Sequence, residues 1–330
     1  ISLKREWRLP LLTATYLPVA AALIALLHLA NLDHPFAQWG AIGWVLLFAA
    51  YYTMLKLGES RDVGGLDWFH AGATWVLALV VAWEANHQIG ELTTGVWAQL
   101  PWGVVPALFV AWLGRQQLSP RWPVAAREVA YRVYAAVPLV VVTALWVIVI
   151  NLNSTGDSTW LPYLPLLNPL DISVALCFAA LAMWWSSLSE SQRALWWQLD
   201  LRILIAGVAG LVFIWLNAAL IRSLHHNFDA PITAYGMAHS TLVQASLSIF
   251  WGVLGFTAMT IAARQRWRYV WIVGAALMIV VVAKLFLVDL SNVGTIARIA
   301  SFLTVGVLLL VTGYLAPLPP RKATEQVMES

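Results

Sequence analysis

Residues 201–262 read LRILIAGVAGLVFIWLNAALIRSLHHNFDAPITAYGMAHSTLVQASLSIFWGVLGFTAMTIA. Two apolar runs, 201–221 and 240–262, each have about the 20 residues that a helix needs to cross a bilayer. Between them lies a polar connection, Ile221–Ser240, carrying Arg222, His225, His226, Asp229 and His239. In hydrocarbon every backbone N–H and C=O must find its partner within the segment, so each run is expected to be a helix. Apolar runs of similar length recur from one end of the chain to the other, which leaves no room for a soluble domain. The fold class follows as all-α, a polytopic membrane helix bundle.

Composition agrees with that reading. Of 330 residues, 61% are hydrophobic and 11% charged, against about 25% charged in soluble domains; the mean hydropathy is +0.76. The net charge of +3 is not concentrated in any run dense enough for nucleic acid, so no nucleic-acid partner is expected. One cysteine, Cys177, lies in an apolar run, which excludes an internal disulfide and suits a small core residue. The chain begins at Ile1, a span follows within about ten residues, and no signal peptide precedes it. Residues 1–330 therefore read as a single transmembrane helical domain, the C-terminal part of something longer.

At about 20 residues per span, ten helices are expected, near 10–30, 39–56, 69–85, 97–114, 131–151, 171–188, 201–221, 240–262, 269–288 and 296–315. Loops on one side would then hold Lys4, Arg5, Arg8, Lys56, Arg61, Arg115, Arg121, Arg127, Arg132, Arg193, Arg202, Arg264, Arg266, Arg268, Arg321 and Lys322. The other side would hold only Arg222, Lys284 and Arg298. Under the positive-inside rule this places both termini in the cytoplasm.

The expected outer face is acidic, with Asp33, Glu84, Glu91, Asp157, Asp171, Asp229 and Asp289, and all histidines but His70 lie at or near it. Glu84, His87 and Glu91 read as a solvated loop after the third span, and Asp171 as a first-turn acid at the start of the sixth. Many of the twenty tryptophans, Trp39, Trp97, Trp160, Trp184, Trp185, Trp196, Trp197, Trp267 and Trp271 among them, fall near span ends, as an aromatic belt would. The connection Asn151–Asp171 contains Pro162, Pro165 and Pro169, which forbid a regular helix, and its apolar residues are expected to pack back on the bundle as a cap.

Four stretches, LPLLNPLD (164–171), RSLHH (222–226), STLVQASLS (240–248) and AKLFLVDLSNVGTIARIASFLTVGVLLLVTGYLAPLPP (283–320), carry a resemblance over roughly residues 160–320. They resemble the bacterial multi-pass membrane protein family called domain of unknown function 2339. The resemblance implies a bacterial inner (cytoplasmic) membrane protein of the cell envelope and supplies no reaction, cofactor or catalytic residue.

Arg222, His225 and His226 stand at i, i+3 and i+4, so they share a face if the seventh helix continues through them. Arginine binds phosphate or carboxylate and imidazole exchanges a proton near neutral pH. His225, His226 and His239 are thus candidate acid/base groups, and Arg222 and Asp229 candidate substrate ligands; the competing reading pairs Arg222 with Asp229. Gln244 and Ser248, one turn apart, form a polar stripe that either joins helices or lines a cavity, while Gly252 and Gly255 invite close packing. Lys284, Asp289 and Arg298 complete the candidate anion site. No HExxH, paired CxxC, P-loop, GxGxxG or GxSxG is present, so no metal and no cofactor is expected.

Three functions fit: an envelope lipid- or glycan-modifying transferase with an outer-face Arg/His site, a transporter or lipid-flipping module, and a non-enzymatic scaffold. The expected partners are a membrane lipid or lipid-linked anionic substrate, or other membrane proteins.

Overall fold

The computed structural model describes residues 34–59, 65–115, 121–158, 160–196 and 201–285, with 303, 306, 307, 310, 313 and 314. Among these there is no strand, only an isolated bridge between Gly95 and Ser158. The helices are α1 (Gly40–Glu59), α2 (Leu66–Leu92), α3 (Pro101–Arg115), α4 (Ala136–Asn153), α5 (Pro169–Ser187), α6 (Glu190–Trp196), α7 (Leu201–Phe228), α8 (Ala234–His239), α9 (Thr241–Gln265) and α10 (Arg268–Lys284). A π-helical turn, Ala130–Ala135, leads into α4. The spans expected at 10–30 and 296–315, and with them Asp289 and Arg298, lie outside the described residues, apart from six scattered positions in the last.

Six stretches are long and apolar enough to cross a membrane: Ala37–Glu59, Leu66–Leu92, Ala130–Asn153, Pro169–Ser187, Ile203–Phe228 and Thr241–Gln265. The fourth and ninth expected spans appear as the shorter α3 and α10. Pro101 begins α3, where its missing N–H costs nothing, and Pro106 is buried inside it. Two expectations are corrected. Glu84, His87 and Glu91 are not in a loop, because α2 runs on to Leu92. The connection after 221 is largely helical, with α7 reaching Phe228 and α8 following after five residues.

The chain divides into two compact units, 1–222 and 223–330. In the first, small residues let α2, α3, the π-helical turn and α5 approach closely, as helices in lipid must to gain packing energy. Ala71, Ala78, Val110, Leu113, Ala130, Tyr131 and Trp184 form one buried cluster, and Val96, Trp146, Ile150, Leu170, Val174 and Cys177 another. Cys177 is fully buried, as a core residue would be. The tryptophans divide: Trp39, Trp160 and Trp267 are exposed, whereas Trp184 is buried and its Nε1 donates to the Arg132 carbonyl at 2.8 Å. Trp184 therefore belongs to the core, not to a belt.

The end of α5 is closed by Arg132, whose guanidinium donates to the Ser187 carbonyl and pairs with Glu128. A cation at a helix C-terminus also meets the negative end of its dipole. The Arg132 guanidinium holds the Glu128 carboxyl below its ordinary value of 4.5, against burial and with help from Gln192. Its stabilisation is complete above that ordinary value and is lost as pH falls through the lower, folded one.

In the second unit α9 and α10 pack through Gly255 and Gly274. A Cβ at Gly274 would lie 2.9 Å from the Gly255 carbonyl oxygen, too close to fit, whereas one at Gly252 meets nothing within 4 Å. Of the two glycines expected to permit close packing, only Gly255 does so. Gly274→Ala is expected to destabilise the full chain in detergent by about 1–3 kcal/mol, and Gly252→Ala to change it by less than about 0.5 kcal/mol. Thermal unfolding of the two variants compares them directly.

Candidate functional site

Arg222 was the leading candidate for an anion ligand, and the structure gives it a different partner from the one sequence suggested. Its side chain is 1% exposed and its Nη2 lies 2.6 Å from Oδ1 of Asp171, itself 0% exposed. Asp229, the alternative partner, is exposed in the turn after α7. The same Nη2 donates to Asn151 Oδ1 at 3.1 Å, so one guanidinium nitrogen joins the end of α4 to the start of α5.

Burying a carboxylate costs several kcal/mol unless its lone pairs are met, and those of Asp171 are. Oδ1 also accepts from Trp215 Nε1 at 2.8 Å, and Oδ2 accepts from the Leu166 amide at 3.2 Å and from Asn168 Nδ2. Asn168 is the N-cap of α5, accepting from the Asp171 amide at 3.0 Å, so the acid is a first-turn residue as expected and an ion-pair partner besides. The 154–168 connection lies over the pair. Gly156 adopts φ +78° there, and a Cβ on it would come within 3.0 Å of Arg222 Cδ and 3.3 Å of the Tyr163 ring. Arg222 Nε and Nη1 are buried without a hydrogen-bonding partner among the described residues. Arg222 is thus a bolt between helix ends, closed off from an anion arriving at the surface.

The other candidates stay in the second unit. His225 Nδ1 is 2.7 Å from the Ala230 carbonyl, with its ring edge-on to His226. His239 is exposed, 2.9 Å from the Tyr235 carbonyl and packed against the Tyr235 ring. Lys284 does reach the polar stripe: its Nζ donates to the Gln244 carbonyl at 3.1 Å and to Ser248 Oγ at 2.7 Å. Those contacts make Gln244 and Ser248 a joint between α9 and α10. Among the described residues no group of three or more His, Cys, Asp or Glu could hold a metal ion.

Glu84, expected in a solvated loop, is buried and organises the approach to α1. Oε2 accepts from His34 Nδ1 at 2.9 Å and the Phe36 amide at 3.0 Å, and Oε1 from Gln88 at 2.6 Å. The His34 and His87 rings stack at 3.9 Å.

Sequence reasoning missed a third cluster, at the opposite end of α2. His70 is 0% exposed; its Nδ1 lies 2.8 Å from the Tyr131 hydroxyl and its Nε2 3.2 Å from Glu59 Oε1. Tyr52 is hydrogen-bonded to Tyr131 and to Thr74, whose hydroxyl donates to the His70 carbonyl at 3.2 Å. Glu59 Oε2 accepts from Trp122 Nε1 at 3.1 Å, and Lys56 sits over the Trp122 ring, 5.3 Å from its centroid.

This cluster borders an apolar groove of about 670 Å³ lined by Phe48, Ala49, Tyr52, Thr74, Leu77, Leu108, Phe109, Trp112, Trp122, Pro123 and Tyr131. Its volume is within the range of about 300–1,000 Å³ typical of small-molecule sites. One sequence signal pointed here: His70 is the sole histidine on the basic side of the charge pattern. Its partners come from separate helices, so no motif joins them.

A family described as predicted membrane protein, DUF2339, matches residues 1–319, further toward the N-terminus than the motifs alone reached. No curated protein and no solved structure matches the chain.

Removing one partner of the buried pair should be severe. Arg222→Ala and Asp171→Ala are each expected to cost about 3–5 kcal/mol, while the double replacement Arg222→Met with Asp171→Leu recovers most of that loss. Unfolding midpoints in detergent provide the measurement.

Proposed function

Because the chain belongs to DUF2339, a family of predicted membrane proteins, we propose that it is a bacterial inner-membrane protein of the cell envelope that crosses ten times, keeps both termini cytoplasmic, and acts on a membrane lipid. The observation that carries this reading is the groove between α1, α2 and α3, apolar along its walls and bordered by the hydroxyls of Tyr52, Thr74 and Tyr131. An acyl chain drawn from the surrounding bilayer suits such walls, because it exchanges one apolar environment for another. Lys56 at the rim suits an anionic headgroup, as charge complementarity requires.

Of the functions that composition allows, lipid modification fits this geometry better than translocation. The groove takes in one half of α1 and α2. Toward the other half Trp44 and Val80 are buried together, with Leu47, Val76 and Trp83 packed against them, so the groove does not continue along the helices. A ligand would be held there and presented to the polar cluster. The site moves accordingly from Arg222 and the histidines near it to the basic end of the first unit. At Arg222 the buried pair favours the scaffold reading, a structural role for that end of the helices.

Photocrosslinking tests the proposal. Phosphatidic acid with a diazirine in its acyl chain, incorporated in nanodiscs with the full chain, is expected to label peptides containing Phe48–Tyr52 or Leu108–Trp112. Leu77→Trp, which fills the groove, should reduce labelling at least about fivefold, and Lys56→Gln should remove the preference for phosphatidic acid over phosphatidylcholine. Labelling confined to other peptides, or undiminished in Leu77→Trp, would overturn it.

A further inference from the structure

The hydrogen-bond directions in the His70 cluster follow from counting hydrogens. A hydroxyl has one to give. Thr74 gives its hydrogen to the His70 carbonyl, so Tyr52 must donate to Thr74. Tyr131 must then donate to Tyr52, which leaves the Tyr131 oxygen to accept from His70 Nδ1–H. Neutral His70 is thereby fixed as the Nδ1–H tautomer, and its bare Nε2 lone pair faces a carboxylate oxygen.

That consequence matches the observed contact. His70 Nε2 and Glu59 Oε1 are 3.2 Å apart, yet each is buried without a hydrogen-bond partner. Two acceptors held together out of water repel unless a proton lies between them. The other charged groups near His70 among the described residues are Asp67 on its own helix and Arg127 from the connection before α4. These are paired with each other at 3.2 Å, which leaves Glu59 as the carboxylate that faces the ring directly.

We propose that Glu59 and His70 form a proton-binding site that serves the groove through the Tyr131 and Tyr52 hydroxyls, for a lipid whose headgroup carries a proton-accepting oxygen, such as a phosphate monoester. The inference rests on the lipid reading of the groove, since Tyr131, Tyr52 and Trp122 all line it.

A proton captured at Nε2 makes His70 an imidazolium. Its Nδ1 proton passes to the Tyr131 oxygen as Tyr131 passes its own to Tyr52, and Tyr52 gives its hydrogen to the lipid oxygen. One proton leaves the imidazolium and one O–H bond forms on the lipid. Both tyrosines are hydroxyls again, and His70 is neutral with its remaining hydrogen on Nε2, directed at Glu59. Tyr52, which touches the ligand, is the catalytic residue; His70 and Glu59 act through it. The second ionisation of a phosphate monoester, near about pH 6, makes such a headgroup a suitable acceptor.

Nitrogen-15 NMR of the histidine-labelled full chain in nanodiscs tests both parts, with the His70 signal assigned by its loss in His70→Gln. In phosphatidylcholine, His70 is expected to take up a proton between about pH 5 and 8, and Glu59→Gln to move that midpoint down by at least about one unit. Adding phosphatidic acid should move the wild-type midpoint by about half a unit or more, and Tyr131→Phe should abolish that movement. A His70 midpoint unchanged in Glu59→Gln, or no uptake above pH 5 in wild type, overturns the proton site. A wild-type midpoint indifferent to phosphatidic acid that still crosslinks in the groove overturns the relay. Absence of crosslinking removes the lipid reading instead, and the comparison of wild type with Glu59→Gln still decides the proton site.

Discussion

A carboxylate and a guanidinium withdrawn from water hold one end of the first unit together. Asp171 at the start of α5 is met by Arg222 from α7, Trp215 from α7, Asn168 and the Leu166 amide, and Arg222 in turn reaches Asn151 at the end of α4. Each ion alone would be costly at that depth; together, with the remaining acceptor sites filled, they define which helix ends must meet. The connection over them follows from the same requirement. Leu166 takes a left-handed φ of 64° in the turn from which its amide reaches Asp171, and Gly156 leaves space for the arginine stem.

At the other end of the same helices the constraint is the carbonyl rather than the carboxylate. Arg132 meets the last carbonyls of α5, and Trp184 and Trp75 donate to the carbonyls of Arg132 and Ala135. Sidechains thus supply what a helix terminus lacks. Beside this end sits the one polar chain that runs between helices to a groove, from Glu59 and His70 to Tyr131, Tyr52 and Thr74. Its hydroxyls serve the helices as internal hydrogen bonds, and the same positions put them at the groove wall. Architecture and candidate chemistry share these residues because in a membrane interior a polar side chain needs a partner wherever it is placed.

Much of the fold was readable from residue order. Apolar run length located eight of the expected spans within the described residues, and the caps of α5 and α9 lie at Asn168 and Ser240, beside the expected starts. The errors have a common origin. The 221–240 stretch and the Glu84–Glu91 stretch looked like loops because they are polar, but helix geometry continues as long as each amide finds its carbonyl, and water at a helix end tolerates polar side chains. The polar stripe of α9 was visible at Gln244 and Ser248, although only packing could show that Lys284 occupies it.

The sequence by itself determined that this is a multi-pass helical membrane protein, because hydrophobic length and backbone hydrogen bonding are local properties of a segment. It also singled out Arg222 and Lys284 as cations needing partners, since charge in an apolar chain is costly wherever it falls. Tertiary structure alone decided who those partners are. Asp171 stands 51 positions from Arg222 and Glu59, His70 and Tyr131 come from three separate segments. Pairing at that range depends on how helices pack, and the pattern along one helix does not record which neighbour its faces will meet.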